Sequence, residues 1–520
     1  MTDTKTIERW VGAVLAPEVR VPGTIASPTE VLPSRAYLER FPPAIVTAFG
    51  RTPAGAGALA ELIARLRAIC AELGVPPPAA AVDLEQGAGL HFRGATRLPP
   101  ALALASAACG SSGAEPDELD WIWAAGELTA REARACGAEL VLAPVGDVNT
   151  ERDNPIIATR SFGDRPSEAA ARAVALLEGL RAGGAGACAK HFPGHGDTSQ
   201  DSHVELPAVR GDARRLRERE LVPFERLVAH SSDCVMIAHL DVPALTGEAG
   251  LPSTLSRAVI EEVLRGELGF RGTVVSDAMN MGALERFAPR YVRALAAGCD
   301  VLLCPHDPQA AAEELLAAAG TPALPLERLR QAAERALALR ESLRSRPTSP
   351  VSAADAARLA ERLADRALRS SREHWPLGPN PRVGGVRLLE SIPAAETPEF
   401  TALLASLRGE LASLAGDLDV QPVFCEARAG RGRYGLSADE RERLRALTAE
   451  AARGGRPLAL LWFGSPQSLD RAVWEAGEVP VLLALAPTPP LVAAAGRFIA
   501  ELLARGGTAP KARRLPAALG

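Results

Sequence analysis

Short apolar runs alternate with longer amphipathic stretches through the first two thirds of the chain, and this alternation restricts the possible folds more than any other feature. Eight such runs occur, and each is followed by polar residues, Gly or Pro and then by a helical pattern. The runs lie at residues 11–15, 44–49, 79–83, 139–145, 186–192, 233–239, 272–277 and 300–304. Continuous apolar runs between amphipathic helices are typical of a parallel sheet covered on both faces.

Eight strand–helix units within roughly 340 residues predict an α/β protein with a closed (β/α)8 barrel of the TIM type. The alternative is an open, doubly wound sheet. A dinucleotide-binding sheet of that kind would carry a glycine-rich phosphate turn after its first strand, and no such turn follows residues 11–15. We therefore favour the barrel.

The remainder of the chain shows a linker and then a second α/β pattern. Residues 345–351 read Ser-Arg-Pro-Thr-Ser-Pro-Val, which is typical of a linker, and a helical segment at 353–372 follows. Further apolar runs lie at 384–389, 419–425, 457–463 and 480–486, and helical stretches lie at 397–415, 437–453, 466–476 and 489–504. This pattern predicts a smaller three-layer α/β sandwich. The predicted domains are a barrel at 1–345, a linker and helix at 346–375, and a C-terminal domain at 376–520.

Charge, hydropathy and cysteine usage exclude several classes of partner. The chain has 58 basic and 63 acidic residues and a formal net charge of −5, so nothing favours binding to nucleic acid or to an anionic membrane. We find no apolar run of membrane-spanning length and no signal-peptide pattern. The eight cysteines include no CxxC pair, and several lie in apolar runs, as is typical of reduced, buried thiols. We expect a cytoplasmic protein, and nothing indicates a protein partner.

Polar residues cluster where the predicted strands end. They are Asp83, Glu85, Asp147, Asn149, Lys190, His191, His239 and Asp277. In a (β/α)8 barrel the active site is built at the C-terminal ends of the strands. Since burying several ionisable groups without partners is costly, a ring of them indicates a ligand or a mutual network. For His239 a hydrogen-bonded packing role at the barrel rim is the alternative.

Residues 190–203 carry the strongest chemical signal, because this stretch reads Lys-His-Phe-Pro-Gly-His-Gly-Asp-Thr-Ser-Gln-Asp-Ser-His. Lys190 is the only lysine away from the termini in an arginine-rich chain, so a compact ammonium is expected to be needed there. In an extended loop Asp201 and His203 point the same way, and a carboxylate that fixes the tautomer makes histidine a competent acid and base. His195, between two glycines, is expected to hold the loop in shape.

Asp277 adds a single carboxylate at the end of another strand of the same barrel. A nucleophile together with a separate proton donor is what retaining glycoside cleavage requires. The loop also offers metal-ligand types in His191, His195, Asp197, Asp201 and His203. Their spacing matches no strong zinc pattern, and Lys190 would repel a cation, so we predict no metal.

At these residues the chain resembles glycoside hydrolase family 3, specifically its β-N-acetylglucosaminidase branch. The resemblance is carried by Asp-Leu-Glu-Gln-Gly at 83–87, Ala-Pro-Val-Gly-Asp-Val-Asn at 143–149, Arg160-Ser-Phe, the whole 190–203 loop, and Ser276-Asp277. It implies that Asp277 is the nucleophile, that His203 is the acid and base, and that Asp201 supports it. The residues expected to bind substrate are Asp83, His91, Asp147, Arg160, Lys190, His191 and His239.

The activity that the resemblance implies is removal of terminal β-linked N-acetylglucosamine from a small carbohydrate or muropeptide of the cell wall, without a cofactor. Two departures bear on the substrate. The usual Glu-Gly-Gly-Arg-Val-x-Arg is here Glu85-Gln-Gly-Ala-Gly-Leu-His91, and the usual Ser-Asp-Asp is Ser276-Asp277-Ala278. A β-glucosidase, a glycoside phosphorylase and a catalytically weak sugar-binding protein are therefore alternatives.

Overall fold

The computed structural model describes residues 2–21, 30–48, 52–108, 118–151, 153–370, 386–389, 391, 398–412, 414, 418–425, 436–453, 457–464, 479–484 and 488–505. The chain divides into two compact units. The first comprises Met1–Thr96, Ile122–Glu151 and Ser161–Ala353, and the second comprises Arg97–Trp121, Arg152–Arg160 and Ala354–Gly520. Two segments that precede residue 345 therefore belong to the second unit. The helix predicted at 466–476 lies outside the described residues.

The first unit is built on parallel strands. They are β1 Leu15–Ala16, β2 Glu18–Val19, β3 Ile45–Ala48, β4 Thr52–Gly55, β5 Ala79–Val82, β6 Phe92–Arg93, β7 Leu140–Val141, β8 Gly186–Phe192, β9 Cys234–Ile237, β10 Thr273–Ser276 and β11 Leu302–Leu303. One sheet has the order β10-β9-β8-β7-β5-β3-β2, and β11 pairs with β1. A bridge between Val275 and Val301 joins β10 to the segment that leads into β11. If β1 and β2 count as one strand interrupted at Pro17, this pattern is consistent with an eight-stranded TIM-like barrel.

Along the chain, the helices that precede residue 346 come before, between and after these strands. They are Thr4–Val14, Arg35–Arg40, Ala56–Glu72, Ala101–Ala108, Glu118–Ala135, Pro166–Ala182, Ala213–Glu218, Leu221–Ala229, Pro243–Thr246, Ala258–Glu267, Arg290–Ala297, Pro308–Ala318 and Leu326–Ser345, with short 3-10 turns at Ala88–Leu90, Ala158–Arg160, Ser253–Leu255 and Gly282–Leu284. Side chains of Asp3, Ser34, Asp212 and Asp307 cap four of these helices by accepting backbone N–H groups.

Seven of the eight predicted strands are confirmed, with some shortening, and the first is wrong. Residues 11–14 form the last turn of the helix Thr4–Val14, and the strand starts only at Leu15. That turn is completely buried, so its apolar run has the composition of a strand without its geometry. Gly12 shows how tightly it packs, because a Cβ there would lie 2.4 Å from the carbonyl carbon of Phe41.

Carboxylates brace the N-terminal ends of the barrel strands. Glu139, Asp233 and Asp300 each lie just before a strand and accept the backbone N–H of Ala80, Ala187 and Val274, respectively, on the neighbouring strand. Each also pairs with arginine, through Arg67, Arg346 and Arg265, respectively. These buried or nearly buried groups therefore connect adjacent strands at the end of the barrel opposite the predicted site.

The second unit contains a mixed sheet. Its strands are β12 Arg369–Ser370, β13 Val386–Leu388, β14 Leu418–Cys425, β15 Leu458–Gly464 and β16 Val481–Leu483, in the order β12-β16-β15-β14-β13. Only the pairing of β12 with β16 is antiparallel. The helices are Ala353–Ala367, Pro398–Ala412, Ala438–Ala452 and Pro489–Ala504. The four predicted strands are confirmed, whereas three-layer packing stays a prediction.

The helix predicted at 353–372 is too long. It ends at Ala367, where the periodic burial of its alanine and leucine face stops, and Arg369–Ser370 then pairs as an edge strand. Tertiary pairing thus ends the helix without a local Gly or Pro signal. Among the described helices, none is both long and apolar enough to cross a membrane.

Candidate active site

The predicted site residues of the first unit lie on adjacent strands of one sheet. Asp83 follows β5, Asp147 comes after β7, Lys190 and His191 belong to β8, and the strands β9 and β10 lead to His239 and Asp277. Because β5, β7, β8, β9 and β10 are neighbours in that order and run parallel, these side chains meet at one edge. This placement agrees with the prediction from the apolar runs.

Lys190 forms a buried ion-pair cluster with two carboxylates. Its Nζ lies 2.6 Å from Asp83 Oδ1 and 2.6 Å from Glu85 Oε1, and the residue is 1% exposed. A buried ammonium needs such partners, and a compact point charge fits between two carboxylates better than a planar guanidinium does. The unusual lysine therefore holds Asp83 and Glu85 together. Of the three groups, Asp83 keeps the most exposed side chain and is the best placed to reach a ligand.

His91 stands where the resemblance leads one to expect an arginine, and it contacts the same cluster. Its Nε2 lies 2.6 Å from the carbonyl oxygen of Asp83. Since a carbonyl only accepts, Nε2 carries the proton and donates it. His91 thus holds the backbone of Asp83, and binding of substrate by its ring stays a prediction.

Asp147 forms hydrogen bonds with two histidines of the 190–203 loop. Its Oδ2 is 2.7 Å from His191 Nδ1, and its Oδ1 accepts the backbone N–H of His195 at 2.6 Å. Burial alone would raise the pKa of Asp147, but His191 and His195 outweigh it, so the pKa lies below its ordinary value. A fully buried, ionised carboxylate orients the His191 ring and anchors the loop, whereas contact between Asp147 and substrate stays a prediction.

The His195 side chain bonds to two other residues of the 190–203 loop. Its Nδ1 lies 2.7 Å from Thr198 Oγ1, and its Nε2 lies 3.1 Å from Ser202 Oγ. Thr198 Oγ1 also donates to the carbonyl oxygen of His195, so the contact at Nδ1 requires the ring to donate there and to accept from Ser202 at Nε2. Burial lowers the pKa of His195 to about 4, which keeps this neutral tautomer at physiological pH. These contacts agree with the expected loop-shaping role.

Asp197 fastens the same loop to its surroundings. It accepts hydrogen bonds from Thr150 Oγ1 at 2.9 Å and from Arg215 at 3.0 Å, and it pairs with Arg219 at 2.8 Å. A Cβ on Gly196 would lie 1.9 Å from the carbonyl oxygen of Val148, so this position requires glycine. Both residues therefore serve the shape of the loop.

Asp201 and His203 form the predicted pair. Asp201 Oδ1 accepts from the His203 ring at Nδ1 and from its backbone N–H, both at 2.9 Å. The local conformation is not the extended one that was expected, because the backbone N–H groups of Val204 and Glu205 both donate to the Asp201 carbonyl and close a turn. The His203 side chain is 43% exposed, so its ring is open to a ligand.

Asp277 is partly exposed and is held in an ionised state. The backbone N–H of Ala278 donates to its Oδ1 at 2.8 Å. Burial would raise the pKa of Asp277, but His191 and His239, the Ala278 N–H and His203 together lower it below its ordinary value. A carboxylate that stays ionised beside three imidazoles is suited to act as a nucleophile.

Gly282 connects the Asp277 segment to the His203 loop. Its N–H donates to the carbonyl oxygen of His203 at 3.3 Å, and a Cβ there would lie 2.8 Å from that oxygen and 2.9 Å from the carbonyl oxygen of Val204. A cavity of about 460 Å³ lies alongside, lined by Val204, Glu205, Leu206, Gly282, Ala283, Glu285 and Arg286. The backbone of the His203 loop and the segment that follows Asp277 thus contact each other beside this cavity. Sequence reasoning missed Gly282, since no local pattern relates it to His203.

His239 is completely buried, and both of its ring nitrogens contact protein atoms. Nδ1 lies 2.6 Å from Thr254 Oγ1, and Nε2 lies 3.0 Å from the carbonyl oxygen of Ala278. Burial lowers its pKa below the ordinary value. These contacts favour the packing alternative over a sugar contact.

Arg160 belongs to the segment Arg152–Arg160 of the second unit. Its Nη1 donates to the carbonyl oxygen of Ile156 at 3.1 Å. Binding of substrate by Arg160 therefore stays a prediction. Among the described residues, no group of three or more His, Cys, Asp or Glu side chains is arranged to hold a metal ion.

Comparison with known proteins places this geometry in context. Residues 43–339 match the sequence profile of the glycosyl hydrolase family 3 N-terminal domain. A Beta-hexosaminidase of Chromobacterium violaceum is 37% identical over 271 residues, which cover 51% of this chain and 73% of that protein.

Solved structures also resemble almost the whole chain. A glycoside hydrolase family 3 β-N-acetylglucosaminidase from Paenibacillus sp. str. FPU-7 has a TM-score of 0.77 and 25% identity, covering 98% of both chains. The β-glucoside phosphorylase BglX has a TM-score of 0.80 and 19% identity, covering 100% of this chain and 95% of that one, and shares the fold alone.

Proposed function

The chain belongs to glycosyl hydrolase family 3, and from that premise we propose that it is a retaining, exo-acting β-N-acetylglucosaminidase with Asp277 as nucleophile and His203 as acid and base. The family resemblance read from the motifs is confirmed, and the protein is a glycosidase. The single observation that carries the proposal is that Asp277 is kept ionised by imidazoles that include His203, whose Nδ1 bonds to Asp201 and whose backbone bonds to Gly282 in the segment after Asp277.

In the first chemical step, the Asp277 carboxylate attacks the anomeric carbon. The proton on His203 Nε2 passes to the glycosidic oxygen, and the alcohol leaves as the Asp277 ester forms. In the second step, His203 takes a proton from water, which attacks the same carbon and releases the carboxylate. Asp201 occupies Nδ1 throughout, so Nε2 is the nitrogen that exchanges the proton.

For the sugar, we propose N-acetylglucosamine, held in the subsite of the cleaved sugar by Asp83 and His191, with Lys190 and His91 fixing Asp83. The Chromobacterium violaceum relative is named a Beta-hexosaminidase, and the Paenibacillus structure is that of a β-N-acetylglucosaminidase. At 37% and 25% identity, these names support the proposal.

We propose that the substrate is a cell-wall muropeptide fragment in a reducing, cytoplasmic compartment. Six described cysteines are free, buried thiols, which supports a compartment where disulfides are rare. We also keep the division into a barrel at 1–345, a linker and helix at 346–375, and a three-layer sandwich at 376–520 as a proposal.

The decisive experiment is hydrolysis of aryl N-acetyl-β-glucosaminide and aryl β-glucoside, each with and without inorganic phosphate. The proposal expects turnover of the first substrate, little of the second, and free sugar rather than sugar phosphate as product. Asp277→Ala should abolish turnover, and a chelator should leave it unchanged. Preference for the glucoside, phosphorolysis, or activity retained by Asp277→Ala would each contradict it.

A further inference from the structure

We infer that His239 is a positioning residue that holds the Asp277 carboxylate in place, rather than a residue that contacts the sugar. The inference rests on the proposed role of Asp277 as nucleophile. From its residue type and its position after β9 alone, His239 could equally bind the sugar or pack within the protein.

A continuous hydrogen-bonded path leads from His239 to the carboxylate. The ring bonds through Nε2 to the Ala278 carbonyl oxygen at 3.0 Å, and the N–H of Ala278 donates to Asp277 Oδ1 at 2.8 Å. The backbone N–H of Asp277 donates to the carbonyl oxygen of Ile237 on the neighbouring strand at 2.9 Å. His239 therefore fixes the residue whose N–H holds the nucleophilic oxygen.

The protonation of the ring follows from its partners. A carbonyl oxygen only accepts, so Nε2 must carry a proton to bond to Ala278. The Thr254 hydroxyl lies 2.6 Å from Nδ1 and 2.7 Å from the carbonyl oxygen of Ala238. The hydroxyl has a single proton, and Ser253 Oγ already donates to the Ala238 carbonyl oxygen at 2.7 Å. In the neutral ring that burial favours, Nδ1 can only accept, so Thr254 gives its proton to Nδ1 and both nitrogens bond to protein groups. A ring bonded at both nitrogens and closed to solvent has no donor to offer a sugar.

The residue at position 278 makes the positioning role of His239 more important in this chain. Where the family resemblance leads one to expect a second aspartate, Ala278 has no side-chain polar group, so the nucleophile is held there by backbone atoms alone. The orientation of that peptide then depends on the bond from His239 to its carbonyl oxygen. Removal of the ring frees the peptide to rotate and weakens the hold on Asp277 Oδ1.

The charged surroundings predict a pH signature. The charged or titratable groups that act on His239 are Asp277, His203 and Arg290, and those that act on Asp277 are His191, His239 and His203. The Ala278 N–H, whose peptide His239 holds in place, contributes to lowering the pKa of Asp277. Replacing His239 with leucine should therefore weaken that hydrogen bond and move the acid limb of kcat/KM to higher pH, because Asp277 becomes protonated sooner as the pH falls.

The test compares His239→Leu, His239→Gln and Thr254→Val with the surface variant His230→Leu as control. His230 forms a partly exposed pair with Glu178 and lies at the end of the helix Leu221–Ala229. The readouts are kcat and KM on an aryl N-acetyl-β-glucosaminide, and the rate at which a 5-fluoro glycosyl fluoride forms the covalent ester on the intact protein. In that reaction, the carboxylate displaces fluoride ion and forms the C1–O ester bond.

We expect His239→Leu to lower kcat and the trapping rate by about 10-fold or more with little change in KM, since a lost positioning hydrogen bond is worth about 1–2 kcal/mol. Gln, whose amide nitrogen replaces Nε2–H, should restore most of the rate, and Thr254→Val should show a smaller loss in the same direction. His230→Leu should match the wild type.

A rise in KM with an unchanged trapping rate at saturation would overturn the inference in favour of a sugar contact. Equal rate losses in Leu and Gln variants, with no shift of the acid limb, would overturn it in favour of a purely structural role. Failure of the proposed function looks different, because the wild type itself would then not be trapped or Asp277→Ala would keep its activity.

Discussion

Replacing Lys190 with methionine should destabilise the protein strongly at neutral pH. The change removes the ammonium that lies 2.6 Å from both Asp83 and Glu85 and leaves two carboxylates facing each other. Deleting one partner of a buried ion pair costs about 3–5 kcal/mol of unfolding free energy. The Asp83 and Glu85 side chains keep 30% and 10% exposure, so water replaces part of the lost interaction, and we expect the lower end of that range.

The assay is urea unfolding followed by tryptophan fluorescence and circular dichroism, with Lys5→Met as the matched control. Lys5 is an exposed residue of the first helix, so its removal should leave the midpoint unchanged. Adding Glu85→Gln to Lys190→Met should recover part of the loss, because one of the two unpaired charges disappears. Acidification should narrow the difference from the wild type, since protonation of a carboxylate removes the same charge.

The variant Lys190→Arg tests whether the shape of the cationic group matters in addition to its charge. A guanidinium keeps the positive charge but needs a wide planar space, and Lys190 is 1% exposed. We expect its stability to lie between those of the wild type and Lys190→Met. The reasoning is refuted if Lys190→Met unfolds at the same midpoint as Lys5→Met, and the need for a compact ammonium is refuted if Lys190→Arg matches the wild type.

Three further predictions concern the loop and the barrel. His203→Ala should cripple hydrolysis of glycosides with poor leaving groups yet spare much of the rate on an activated aryl glycoside, which needs little protonation; equal losses on both substrates in steady-state assays would contradict the acid role. Gly282→Ala should lower kcat, because its Cβ would lie 2.8 Å from the His203 carbonyl oxygen, whereas the helical control Gly57→Ala has nothing within 4 Å and should behave as wild type. The free energy of unfolding of the wild type should fall by about 3 kcal/mol at most as the pH drops from 6.5 through about 4, because His195 binds a proton in the unfolded chain but not in the folded one. Unfolding curves across that range should show a smaller fall for His195→Gln. An equal fall in both proteins would contradict the prediction.

The periodic apolar runs predicted most of the strands because burial on both faces leaves a local trace in the sequence. They failed at residues 11–14, where a buried helical turn has the same composition. They also missed Arg369–Ser370, which is a strand only because it pairs with Val481–Leu483. Elements that depend on a distant partner leave no comparable local pattern.

The candidate site divides in the same way. Asp201 and His203 are two residues apart, so their contact followed from spacing even though the turn between them was expected to be extended. The bond between Thr254 and His239 spans 15 residues, and the contact between Gly282 and His203 spans much more of the chain. Residue type indicated which groups are candidates for chemistry, and only the fold decides which of them are exposed and which bond to each other.

The two ends of the barrel strands explain why an arginine-rich chain keeps Lys190. At the N-terminal ends, Glu139, Asp233 and Asp300 combine with arginines, whose several donors also reach backbone carbonyls, as Arg346 does at Ala185. A planar guanidinium with several donors suits this end of the strands, where the carboxylates bond only to other protein groups. At the C-terminal ends, the proposed function requires the Asp83 carboxylate to stay open to a ligand, and the wider guanidinium would take up part of that space. The ammonium of Lys190 neutralises Asp83 and Glu85 and leaves the Asp83 side chain partly exposed. The type of cation at each end of the strands thus follows from whether the carboxylates there are buried against protein groups or partly exposed.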